Sequence, residues 1–241
     1  MSHINRIAFN LWDANSILKS GLFEVTEATC LHNRIPVQNG LRDPRFGSLD
    51  GICVTCKKTQ HICTGHWAYI RLALPVIHVR LVNYVTGWLR KICGSCGQLS
   101  TRRKCTCGFL RPKFAWNKAH MTCNGELYDT RSILAHFERY EVQNDGFKPS
   151  SLLITVLPVP PLQIRPPLMI GSRTRGENDL TYRLQNIVRK NKYLLAALQM
   201  PQHIQRERFD LLQLAVTGYL DHEKIGKRRS SGRREYTSLT G

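Results

Sequence analysis

Long apolar runs are missing from this chain, and acidic side chains are scarce. No uninterrupted apolar stretch is long enough to span a bilayer, and no apolar core follows the opening MSHINR. Both absences argue against a membrane span and a secretory leader, so the expectation is an intracellular protein. Only 17 Asp and Glu stand against 35 Lys and Arg, a formal charge of +18. That imbalance exceeds what a solvated surface needs and calls for an anionic partner, nucleic acid ahead of a phospholipid surface. The 241 residues, 42% hydrophobic, suffice for the core of one large or two modest domains.

There are nine cysteines, an odd number. In a reducing compartment they serve as metal ligands more readily than as disulfides. Cys53, Cys56, Cys63 and His66 form C-x2-C-x6-C-x2-H within CVTCKKTQHICTGH. Three thiolates and an imidazole fill a tetrahedral zinc, which leaves no position for an activated water and makes the site structural rather than hydrolytic. His61, inside the loop, is expected to be solvated. Cys30 has no neighbour in sequence and reads as a buried thiol.

Around this knuckle, GLRDPRFGSLDG (Gly40 to Gly51), the CTGHW ending and IRLALPVIHVRL (Ile70 to Leu81) follow in order. With these motifs the chain resembles the N-terminal clamp of the largest subunit of multisubunit DNA-dependent RNA polymerases, of the eukaryotic, archaeal and large-DNA-virus type. The resemblance implies a second clamp zinc site, with Cys93 and Cys96 as its first half and CTCGFLRP (Cys105 to Pro112) as its return. Cys93, Cys96, Cys105 and Cys107 are the expected ligands. Only Thr106 separates the last two, fewer residues than the family uses, and Cys123 or His120 could take the fourth place instead.

Local patterns place the elements. Ile4 to Phe9 reads as a strand, followed by a helix capped near Asp13 or Asn15; Asn33 to Gly51 reads as loop. Tyr69 to Leu74 reads as a strand. Pro75 then suits the first position of a helix whose Val76, Val79, Val82, Val85, Trp88 and Leu89 share a face, with His78 a satisfied structural histidine. Tyr128 to Glu141 reads as an amphipathic helix, and Ser151 to Ile170 as a buried strand passing into an extended proline-rich segment. Asn178 or Asp179 caps a helix bearing Leu180, Leu184, Ile187, Val188, Leu195 and Leu198 and stopped at Pro201. A second helix carries Ile204, Leu211, Leu212, Ala215, Val216, Tyr219 and Leu220, and the short link folds the two into an antiparallel hairpin.

The resemblance assigns roles to these pieces. LPVPPLQIRPP (Leu157 to Pro167) would lead from the clamp core to the lid, the loop within Ile170 to Asp179 that parts RNA from template. Arg173 and Arg175 are its expected nucleic-acid contacts, although by residues alone an ordinary solvated loop reads equally well. NDLTYRLQNIVRKNKYL would be the clamp coiled coil, which docks initiation or elongation factors. KIGKRRSSGRREY, by itself a flexible basic run or targeting signal, sits where the family has its rudder, with Lys227, Arg228, Arg229, Arg233 and Arg234 on nucleic acid.

The expected fold is α+β: an irregular, zinc-containing clamp with a C-terminal antiparallel helical hairpin. It divides into 1–150, zinc-binding head and core; 151–179, proline-rich segment and lid; 180–222, coiled coil; and 223–241, a basic rudder-like segment. The chain stops before the family's NADFDGD metal loop, and Asp43 and Asp50 are not arranged to clamp two metal ions, so no activity is expected from it alone. A naturally split subunit is preferred over a truncated one. The cofactor is Zn2+ at two structural sites, with Mg2+ only in the partner active-site subunit. The partners are the chain with that loop, the second-largest subunit, template DNA and the RNA-DNA hybrid, and factors at the coiled coil, but no membrane. Nucleus, cytoplasm or virion are all open. A free-standing zinc-finger regulator would need a base-reading recognition helix, and the helix after the knuckle is too apolar. A zinc hydrolase or deaminase would need an open zinc and a glutamate base.

Overall fold

A computed structural model describes residues 11–117, 120–141, 147–170 and 174–221, with only the backbone of residues 169, 170, 174 and 175. The strand expected over Ile4 to Phe9 and the whole basic C-terminal run lie outside the described residues. What is described is mixed helix and sheet, organised around two apolar cores.

Helix α1 (Ala14–Ser20) opens on Asp13, whose carboxylate accepts the Ser16 N–H at 2.9 Å and relieves one orphan donor of the first turn. Two short strands, β1 (Leu31–His32) and β2 (Ile35–Pro36), then pair, and a 3-10 turn follows at Pro44–Phe46. This stretch reads as loop, yet it buries Leu41 and Phe46 completely. Loop composition therefore did not imply solvent exposure here.

The two cores meet along strand β3 (Ala68–Ile77), antiparallel to β7 (Leu153–Val159). The register runs from Ala68 opposite Val159 to Ile77 opposite Leu153 and shifts between Arg71 and Val76. Pro75 falls within that irregularity, where its missing N–H breaks no ladder bond. The helix expected to begin at Pro75 is thus a correction: the strand continues through Ile77, a 3-10 turn occupies Val79–Leu81, and α2 spans Val82–Lys91. Burial decided it, since Val76 packs into the first core and Ile77 into the second. Side chains at successive positions of a strand can serve opposite cores, which a helix face cannot do. His78 caps the 3-10 turn, its Nδ1 accepting from the Arg80 N–H at 3.3 Å.

The second core joins α2 to a three-stranded antiparallel meander, β4 (Phe114–Asn117), β5 (His120–Cys123) and β6 (Glu126–Tyr128), and to α3 (Thr130–Glu138). The helix expected from Tyr128 is shorter, because Asp129 accepts the Ser132 N–H at 2.9 Å and starts it, leaving Tyr128 in β6.

A short pair, β8 (Leu168–Ile170) and β9 (Thr174–Gly176), precedes the two long helices. Asn178 caps α4 (Asp179–Ala197), its side chain accepting the Leu180 N–H at 2.9 Å. Helix α5 (Gln202–Leu220) begins after Pro201. Arg183, near the start of α4, donates to the Gly218 carbonyl near the end of α5, and Gln205 donates to the Leu198 carbonyl at the link. The helices therefore run in opposite directions and bury Leu184, Ile187, Val188, Leu212, Val216 and Tyr219 in the first core. One correction falls on α4: Leu194 is fully buried, whereas Leu195 is 59% exposed. Both residues continue the 3.6 period, but of the two only Leu194 belongs to the first core.

Candidate metal centres

Two groups of ligand atoms converge. Those of Cys53, Cys56, Cys63 and His66 all lie within 4.8 Å of one another, as do those of Cys93, Cys96, Cys105 and Cys107. Each group could hold a metal ion. A tetrahedral ion with sulfur at about 2.3 Å and nitrogen at about 2.0 Å has edges of about 3.8 Å between sulfurs and about 3.5 Å from sulfur to nitrogen. The Cys53 Sγ to His66 Nε2 distance is 3.4 Å and that from Cys63 Sγ is 3.7 Å. In the second group, Cys93 and Cys107 lie 3.6 Å apart, as do Cys96 and Cys105. These lengths fit the edges of such a site, so the donor sets suit a bound ion.

The two leading turns are built alike. In the first, the Cys53 N–H donates to Lys58 O at 2.9 Å and the Lys57 N–H to Cys53 O at 3.0 Å; in the second, Cys93 donates to Gln98 O at 2.9 Å and Gly97 to Cys93 O at 3.0 Å. The fourth residue after the first cysteine is left-handed in both, Lys57 at φ 59° and Gly97 at φ 73°. Such a turn points the two cysteine side chains, three residues apart, at one centre. The return half of the second group is tighter: Cys105 donates to Phe109 O and Gly108 to Cys105 O, both at 2.9 Å, with Gly108 at φ 88°. That turn brings two thiols separated by Thr106 alone into one group, of which Cys107 is the fourth member. Cys123 and His120 lie away from the cluster in β5. His61 also stays outside, beside Gln60.

Burial pushes the Cys53 thiol up, but the Cys56 and Thr55 backbone N–H groups outweigh it and bring it down to about 6. The Cys107 N–H draws Cys105 down to about 6, while Cys96, pulled down by Gln98 but pushed up by burial and its three neighbouring thiols, rises to about 12. Crowded thiols that share protons unequally are what a cation would release together.

The GLRDPRFG turn positions the first group. Asp43, buried, accepts from the Asn39 N–H at 2.8 Å, from the Arg45 N–H at 3.0 Å and from the Arg45 guanidinium at 2.7 Å. Burial alone would raise the Asp43 carboxyl; these bonds outweigh it and hold it below the usual carboxylate range. The turn then presents two carbonyls to the knuckle: Arg45 O accepts from Thr55 Oγ1 at 3.0 Å and Phe46 O from the His66 N–H at 2.9 Å. Gly65, at φ 82°, packs so closely on Pro161 and Gln163 that any Cβ would collide with them.

Sequence reasoning missed one residue of this scaffold. Arg165 is 2% exposed, stands over the Phe46 ring at 4.5 Å, and donates to Pro160 O at 2.9 Å and Thr181 Oγ1 at 3.3 Å. Burial lowers it to about 10. A lone arginine among prolines and aliphatics was the available signal. Cys30 is the buried thiol expected, pushed up to about 11 by burial and accepting from Gln185 at 3.3 Å.

The basic candidates are placed less fully. Arg173, Lys227, Arg228, Arg229, Arg233 and Arg234 lie outside the described residues, and Arg175 stands in β9 opposite Met169. No helix among the described residues is long and apolar enough to cross a membrane.

Comparison with known proteins adds a sequence-wide match. The family model described as RNA polymerase Rpb1, domain 1, matches residues 1–126 and 129–240. The DNA-directed RNA polymerase subunit Rpo1N of Methanothermobacter thermautotrophicus is 30% identical over 285 aligned residues, covering 97% of this chain and 33% of that protein. Rpo1N of Sulfolobus acidocaldarius is 27% identical, covering 92% of this chain and 32% of its own. The DNA-directed RNA polymerase II subunit RPB1 of Euplotoides octocarinatus is 27% identical, covering 93% and 60%. The chain thus spans about a third of the archaeal relatives' length.

Proposed function

Since the chain belongs to the RNA polymerase Rpb1 domain 1 family, we propose that it forms the clamp of a DNA-directed RNA polymerase, holding template DNA and the RNA-DNA hybrid during transcription. The observation that carries this reading is the family match running through both cysteine clusters, each with its four donors converged. In this reading the ions are Zn2+, both structural, because each donor set closes a tetrahedron and leaves no open position. Bound zinc would tie the knuckle to the DPR turn and the 98–113 loop to α2.

The remaining segments take the roles that the family implies. Residues 1–150 are the zinc-binding head and core, and 151–179 the proline-rich segment and lid. Residues 180–222 are the coiled coil, a hairpin that docks transcription factors, and 223–241 the rudder-like segment. Arg173, Arg175 and the basic residues 227–234 contact nucleic acid by phosphate pairing, which adds affinity without reading sequence. These 241 residues contain no NADFDGD loop, so the Mg2+-dependent nucleotidyl transfer takes place on residues outside them. Partners in this reading are that catalytic portion and the second-largest subunit, inside the cell or in a virion.

Native mass spectrometry of the protein purified from its own source, with zinc counted on the same sample, tests the proposal. The expected result is a stoichiometric assembly containing the NADFDGD portion, with two zincs on this chain. A lone monomer that binds nucleic acid would overturn it in favour of a free-standing regulator.

A further inference from the structure

Among the described residues, no carboxylate pairs with the buried guanidinium of Arg165. Its Nε donates to Pro160 O and its Nη1 to Thr181 Oγ1, both uncharged acceptors, and the Phe46 ring covers one face. The remaining nitrogen, Nη2, is buried without a hydrogen-bond partner. The Tyr219 hydroxyl, fully buried in the core that holds Phe46, also lacks one. After burial itself, Tyr219 is the strongest electrostatic influence on Arg165, so the two orphan groups are neighbours.

The anions that could balance this charge are already engaged. Glu177 is bound to Arg42 at 2.9 Å, Asp43 to Arg45 at 2.7 Å and Asp221 to Arg80 at 2.9 Å. Burial pushes the Cys30 thiol up to about 11 and raises the Tyr219 hydroxyl above its ordinary value, so neither is charged at neutral pH. Arg165, lowered by burial to about 10, keeps its proton there. A buried charge left without compensation is strongly unfavourable, so a counter-ion is called for.

We infer that a monatomic anion of the halide type binds inside the protein between Arg165 Nη2 and the Tyr219 hydroxyl. Both groups donate, and a halide accepts from each while supplying the missing charge. A water molecule would satisfy the donors but bring no charge, and its two hydrogens would need acceptors of their own. Of the buried acceptors without a partner, Gln163 Oε1 is the nearest in sequence, and it lies against Gly65 instead. The ion fastens the proline-rich segment to the end of α5, as the bond from Arg165 to Thr181 fastens it to the start of α4.

Crystals of the full chain soaked in bromide, with data collected at the bromine absorption edge, test this directly. The expected result is an anomalous peak in contact with both Arg165 and Tyr219. In solution, chloride is exchanged for gluconate, too large for an enclosed site, at constant ionic strength and metal content. The melting temperature should climb by about 4 °C per tenfold rise in chloride above the dissociation constant. Tyr219→Phe deletes one donor to the ion and should need about tenfold more chloride for the same climb. No bromide at Arg165, water density in its place, a melt indifferent to chloride, or an unchanged response in Tyr219→Phe would each overturn the inference. None of these measurements involves nucleic acid or other chains, so the clamp reading stands or falls separately.

Discussion

Gln213 is bonded twice to the main chain of Ile77: its Oε1 accepts the Ile77 N–H at 3.0 Å, and its Nε2 donates to the Ile77 carbonyl at 2.9 Å. Ile77 is the point where β3 passes from the first core into the second, so a side chain of α5 fastens the helix pair to that junction. Asn191 of α4 does the same further up, accepting from Ala73 N and donating to Arg71 O, both at 2.8 Å. The two amides flank the irregular stretch where β7 leaves β3 unpaired.

Replacing Gln213 by leucine keeps the volume and strands a buried N–H and C=O, each costing about 1–3 kcal/mol. The expected loss for Gln213→Leu is about 2–4 kcal/mol, read as a lower melting temperature by circular dichroism. An unchanged melt would mean that packing alone holds the junction.

Much of this was legible beforehand, for local reasons. The cap residues Asp13 and Asn178 mark helix starts because their side chains satisfy donors within three residues. Cysteine spacing found the first cluster because a chelating turn spans few residues, while the return half of the second came from the family resemblance. What sequence could not show depends on distant partners. Pro75 reads as a helix start until β7 supplies Leu153 and Ile154 opposite Ile77 and Val76. Leu194 and Leu195 are indistinguishable until the first core takes in one of them. Arg165 had only its setting among prolines and aliphatics as a sign of burial, because its acceptors come from Pro160 and from Thr181 on another element.

Asp43 illustrates how a loop motif supports a metal site it does not ligate. Asp43→Ala removes a buried carboxylate with four bonds to Arg45 and Asn39, at a cost of about 3 kcal/mol, discounted because the Arg45 side chain is partly exposed. Through Arg45 O and Phe46 O the loosened turn should speed metal loss from the first cluster alone. Chelator competition should show one fast and one unchanged phase; two unchanged phases would separate the turn from the site.

A pH dependence follows from His136. It is buried, its Nε2 3.1 Å from the Ile92 carbonyl and its Nδ1 3.2 Å from the Tyr128 hydroxyl, an arrangement that a neutral ring with a proton on Nε2 satisfies. Burial holds its pKa below the ordinary 6.5. The unfolded chain therefore binds the proton more readily, so the stability this ring contributes is present above 6.5 and is lost as pH falls through that value toward the lowered one. The melting temperature should decline from about pH 7.5 to 6 at constant metal content. His136→Leu should melt lower throughout but with a flatter profile; an equally steep decline would assign the dependence elsewhere.

The fourth ligand of the second cluster offers the sharpest comparison between two cysteines. Cys107 lies 3.6 Å from Cys93, whereas Cys123 sits in β5 opposite Phe114, where burial and the Glu126 charge raise its thiol. A raised pKa disfavours the thiolate that a metal needs, and the β4 to β5 pairing holds Cys123 in the sheet. Cys107→Ser should therefore lower the metal content from two ions per chain to about one and open the 98–113 loop to protease, since a structural site contributes on the order of 10 kcal/mol to local folding. Cys123→Ser should leave two ions and change stability by less than about 1 kcal/mol. The opposite pattern would place the fourth donor in the sheet. It would then require the 105–108 turn, whose hydrogen bonds face Cys107 toward Cys93, to rearrange once metal binds.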